Sequence, residues 1–67
     1  GVRDADVLTK EQRVLMRSLA GGASIAEAAA LANVSRRTAD RRIAEVRRAL
    51  GAGTTAEAVA SYRRSTR

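Results

Sequence analysis

Arg37, Arg41, Ala44 and Arg48 follow one another at spacings of four, three and four, which places all of them on one side of a helix turning about 100° per residue. A guanidinium is planar, permanently charged and forked, so a row of them is chemistry for anions: paired bonds to phosphate, or to the acceptor edge of guanine. On the opposite side of the same turns, Ala39, Ile43, Val46 and Leu50 fall within a narrow arc. One face is built to pack and the other to reach outward.

Such a face needs a helix with defined ends. Ser35 is a natural N-cap and Gly51 a natural terminator, which predicts a helix over about 36–50. Ser or Thr followed three residues later by Glu or Gln recurs at Thr9 to Gln12, Ser24 to Glu27 and Thr54 to Glu57, and each pair predicts a helix start. Helices are therefore expected over about Lys10 to Ala20, Ile25 to Ala32 and Thr55 to Arg63, with Gly21-Gly22 ending the first and Asn33-Val34 forming a tight turn before Ser35. Proline is absent and alanine dominates, so the fold class is all-α, a four-helix bundle. Leu8, Leu15, Met16, Leu19, Ala29 and Val34 are its candidate core, and Ala58, Val59 and Tyr62 share one side of the last helix.

A chain of 67 residues carrying a net charge of +6 is one small domain with an acidic partner. Cysteine and histidine are both missing, which excludes disulfides, thiolate chemistry and zinc-finger ligation; no metal site and no cofactor is expected. No run approaches the roughly 18–20 apolar residues of a membrane span, and a cytoplasmic location is expected. Residues 1–7 read as a linker or remnant of a larger parent protein, 8–62 as the domain, and 63–67 as a basic tail.

A short helix, a tight turn and a longer helix with basic outward positions is the helix-turn-helix pattern, in which the second helix enters the DNA major groove. The series Leu8-Thr9, Leu15-Met16, Leu19-Ala20, Gly22, Ser24, Glu27-Ala28-Ala29, Val34-Ser35, Thr38-Ala39, Leu50-Gly51 and Glu57-Ala58-Val59 closely resembles the LuxR-type DNA-binding domain, also called the GerE family. The resemblance runs from Leu8 to about Ala60. It implies a four-helix output domain of a bacterial transcription regulator, including response regulators, that binds double-stranded DNA half-sites as a homodimer. It also implies base reading at Asp40, Arg41 and Ala44 and a dimer contact through the last helix, at Ala58, Val59 and Tyr62. The family usually has Glu at Gln12, Ile at Ala28, Leu at Ala32, Val at Ala39 and His at Arg42. Three of these changes shrink core side chains, which predicts low intrinsic stability.

Helical geometry selects Arg37, Arg41, Ala44 and Arg48 for the outward face, and Arg41 is common to both routes. Asp40 either accepts from a cytosine amino group or orients Arg36, Arg37 or Arg41. Arg36, Arg37, Arg47 and Arg48 are candidates for phosphate contacts, which position without specifying sequence. Thr9, Ser24, Ser35 and Thr38 can cap helices or donate to phosphate. Two rival readings are a region-four-like sigma-factor domain, which normally lacks the fourth helix, and a protein-interaction module whose arginines meet an acidic partner such as RNA polymerase. No base of near-neutral pKa stands beside a nucleophile, so no enzyme activity, catalytic residue or small-molecule site is expected.

Overall fold

The computed structural model describes residues 8–65. Residues 1–7, expected as a linker, and Thr66-Arg67 of the basic tail lie outside them. Four helices follow in order: α1 Lys10–Ala20, α2 Ile25–Leu31, α3 Arg36–Leu50 and α4 Thr55–Ser65. No strand occurs among the described residues, and the chain is all-α. Its Cα radius of gyration is 10.6 Å. No helix among the described residues is long and apolar enough to cross a membrane.

The caps explain where each helix begins. Thr9 and Ser24 each accept the backbone N–H three residues on, while Gln12 and Glu27 reach back to the N–H groups of Thr9 and Ser24, closing two capping boxes. The third expected box is displaced. Thr54 Oγ1 accepts from the Glu57 N–H at 3.1 Å, but the Glu57 carboxylate takes the Gly53 N–H, one residue further back, at 3.0 Å.

The first three helices exit by one device, a left-handed residue that lets two backbone N–H groups turn back onto the last turn. At the end of α1, Gly22 at φ 99° and Ala23 donate to the carbonyls of Leu19 and Ser18. Asn33, at φ 59°, and Val34 do the same for Ala30 and Ala29 at the end of α2, which closes at Leu31 with Ala32 as its cap. Gly51, at φ 67°, and Ala52 close α3 on Arg48 and Arg47. The last helix runs past the expected Arg63 to Ser65, whose hydroxyl donates to the Ser61 carbonyl at 3.0 Å; the first residues of the expected basic tail are thus helical.

The core has two centres. Leu15 of α1, Ala28 and Ala29 of α2 and Ala39 of α3 form one, with Ile25, Ala32 and Val34 against it; Leu8, Met16, Val46, Ala58 and Tyr62 form the other, with Leu50, Ala52 and Val59 against it. Leu19 packs on both. Helix α3 therefore lies against α2 through its first turns and against α4 through its last, with α1 across the middle. Burying a leucine or methionine side chain is worth about 1.5–3 kcal/mol, and Leu15 and Met16 are both fully buried.

Candidate nucleic-acid interface

Helix α3 has the sidedness that its spacing predicts. Ser35 caps it by accepting the Thr38 N–H at 3.1 Å, and Ala39, Ile43 and Val46 are buried while Leu50 is half-buried. Opposite them, Arg37, Arg41 and Arg48 are exposed, and none forms a hydrogen bond or ion pair with another described side chain; Ala44 is half-buried in the same row. Eleven steps at about 1.5 Å make the row about 16 Å long. Its chemistry is that of a cationic comb with a gap at Ala44, where the helix backbone can approach a flat surface closely.

The flanks are occupied differently. Arg36 Nε donates to Asp40 Oδ1 at 3.4 Å, with both side chains more than half exposed. Of the arginines expected as partners of Asp40, Arg36 is the one it meets, and Arg37 and Arg41 stay outside the pair. Helical spacing puts half-buried Arg47 on the same flank as Arg36 and Asp40, about 70–100° from the comb.

The hydroxyls are mostly engaged in capping. Thr9 and Ser24 complete their boxes at the starts of α1 and α2, away from α3 in the chain. Ser35 Oγ accepts from the Thr38 N–H and donates to Thr38 Oγ1 at 3.0 Å, so its proton is spent locally. Thr38, half-buried, keeps its own hydroxyl proton for an outside acceptor.

On the other flank, α3 is tied to α1 by a network that the sequence reading did not anticipate. Arg42 Nε donates to Glu11 Oε1 at 2.7 Å, and Arg42 Nη1 donates to Glu45 Oε2 at 3.1 Å. The other oxygen of Glu45 accepts from Gln12 Nε2 at 3.1 Å, and Gln12 Oε1 accepts the Thr9 N–H at 2.9 Å. Gln12 is the buried polar residue of the core, and no buried side-chain nitrogen or oxygen among the described residues lacks a partner. The hydrogen bond to Glu11, reinforced by the charge of Glu45, holds the Arg42 guanidinium protonated above even the usual arginine range. Arg42 and Glu45 are three apart and could have been paired from spacing alone. Glu11 is 31 residues away from Arg42, and no local rule connects them. Gln12 and Arg42 both belong to this one network, joined through Glu45.

The residues expected at a dimer contact pack within the chain. Ala58 and Tyr62 are buried in the core and Val59 is half-buried against it, so all three hold α4 onto α1 and α3. What α4 exposes is Ala56, Glu57, Ala60, Arg63 and Arg64. A shallow groove of about 200 Å³ runs along this side between Leu50-Gly51-Ala52 and Ala60-Ser61. A second basic strip, Lys10, Arg13 and Arg17, is exposed along α1 opposite its packed face. No group of acidic residues suited to a metal ion exists among the described residues. Comparison with known protein families, with curated proteins and with solved structures returns no match.

Proposed function

We propose that this domain binds double-stranded DNA as the output domain of a LuxR-type transcription regulator, with α2, the turn at 32–35 and α3 acting as a helix-turn-helix and α3 lying in the major groove. The observation that carries the reading is the row Arg37, Arg41, Ala44 and Arg48: three exposed, unpaired guanidinium groups on the outward side of a helix whose inward side is core. At about 3.4 Å per base step, a 16 Å row spans roughly five base pairs. Arg41, near its middle, forks onto a guanine edge; Ala44 gives close approach and an apolar contact suited to a thymine methyl. Arg37 and Arg48, toward the ends, reach bases or phosphates as the groove curves away, and Arg36, Arg47 and the Thr38 hydroxyl face phosphates. Two copies on paired half-sites would meet through the exposed side of α4 rather than through Ala58 or Tyr62.

A selection from randomised duplexes at fixed salt, run with the wild-type chain and with Arg41→Ala, tests this. The wild type enriches a half-site, and Arg41→Ala relaxes it at one base position, worth about 1–3 kcal/mol of discrimination. Affinity falls with rising salt, with a log–log slope of about 0.9 per phosphate neutralised. A flat salt response overturns the reading. Salt-dependent binding to an acidic protein with none to duplex DNA would favour the interaction-module alternative instead.

A further inference from the structure

We infer that Arg42 is a positioning residue for the α3 reading face: by bridging Glu11 of α1 and Glu45 of its own helix, it fixes the rotation of α3 about its axis and hence the aim of Arg41. This inference rests on the proposed DNA-binding role. Four hydrogen bonds in series, from the Thr9 N–H through Gln12, Glu45 and Arg42 to Glu11, join the first turn of α1 to the centre of α3.

The need for such a tie follows from the packing. Where α3 begins, it meets α2 through Ala39, Ala28 and Ala29, closely packed but short side chains that present low ridges against rotation of the helix. Ile43 and Val46 hold the helix down, but apolar contact is not directional. Charged hydrogen bonds are. Arg42 also follows Arg41 directly, so anchoring one sets the direction of the other about 100° round the helix. At a helix outer radius of about 5–6 Å, a roll of 10° carries a side chain about 1 Å sideways, which is enough to spoil a forked pair of bonds to one base. Since its guanidinium is turned to Glu11 and Glu45, Arg42 is excluded from the set of phosphate contacts.

The test compares the wild-type chain with Glu11→Gln, Arg42→Ala and the double variant, each first checked for helix content. Glu11→Gln removes the charge at the far end of the bridge, on a helix other than α3, while keeping an acceptor oxygen, and makes the chain more cationic. Three readouts are taken: affinity for the selected site relative to random duplex, the salt slope, and the α1–α3 orientation in the free chain from residual dipolar couplings. Glu11→Gln is expected to lower the site-to-random ratio about three- to fivefold, the scale of one partly exposed ion pair, while its random-duplex affinity holds or rises. Arg42→Ala matches that loss, the double variant adds nothing to it, and the salt slope is unchanged in all three. Dipolar couplings show α3 reoriented relative to α1.

Unchanged couplings in Arg42→Ala, which removes both bonds of the bridge, overturn the inference. So does an unchanged ratio in a wild type that does select a site, or a slope that drops by about 0.9 in Arg42→Ala, which would make Arg42 a phosphate contact. Should the wild type select no duplex and show no salt dependence, the DNA reading fails by itself, and the couplings alone decide whether Arg42 orients α3.

Discussion

At Ser24 a single hydroxyl and a single carboxylate show how local chemistry sets a helix start. Glu27 accepts the Ser24 N–H at 2.9 Å, and this bond, with a smaller contribution from the Ser24 side chain, holds the Glu27 carboxyl below the usual glutamate range. A folded-state pKa below the unfolded one means that the contribution is complete above the ordinary glutamate range and is lost as pH falls through the folded value. Ser24→Ala should move the Glu27 titration back toward the ordinary range, as read by carboxyl chemical shifts against pH; an unmoved titration would assign the shift to the backbone bond alone. Ser35 caps α3 without an acidic partner, and Ser35→Ala should cost about 0.5–2 kcal/mol in urea unfolding. Both caps were legible because donor and acceptor are three residues apart. The Glu11–Arg42 bridge was not, because the two meet only after α1 and α3 have packed.

At the scale of elements, boundaries were legible wherever a residue carried its own conformational signal. Gly22, Asn33 and Gly51 all occupy the left-handed region, and helix ends fell within a residue or two of them. The end of α4 lacked such a residue, and the helix ran further than expected, through Arg64 to Ser65. The sequence places Ala58, Val59 and Tyr62 on one side of α4, and in the folded chain that side faces the core, with Ala58 and Tyr62 buried and Val59 half-buried. Periodicity identifies an apolar side without saying whether the covering surface belongs to the same chain. Asn33 is the sharpest position for a test: Asn33→Gly should leave stability within about 0.5 kcal/mol, whereas Asn33→Val should cost about 1–2 kcal/mol, because a branched Cβ is crowded at positive φ. Equal stabilities for the two variants would show that the corner relaxes out of the left-handed region.

For the whole molecule, the two core centres contain Leu15, Met16, Val46, Leu8 and Tyr62 as large side chains, and alanines elsewhere. Ala28 and Ala39 are nevertheless fully buried, so the helices have closed up around the small residues. Closing up recovers contact but not the apolar area that larger side chains would remove from water. A thermal midpoint no higher than about 45–65 °C is expected in a calorimetric melt, and one well above that range would show that close helix approach compensates fully.

The corners also bear on how the chain finds its fold. Each connection is four residues long, 21–24, 32–35 and 51–54, and each is closed by bonds to carbonyls a few residues back. Bonds of such short range form without first closing a long loop, so three of the turns that shape the bundle are available early in the search, before either core centre exists. The bridge from Glu11 to Arg42 must wait for 31 residues to be brought together, at the cost of closing a longer loop. If the bridge forms only once both helices are packed, Glu11→Ala should hasten unfolding and leave the rate of folding nearly untouched in stopped-flow kinetics, so the tie between α1 and α3 would govern how long a folded copy lasts.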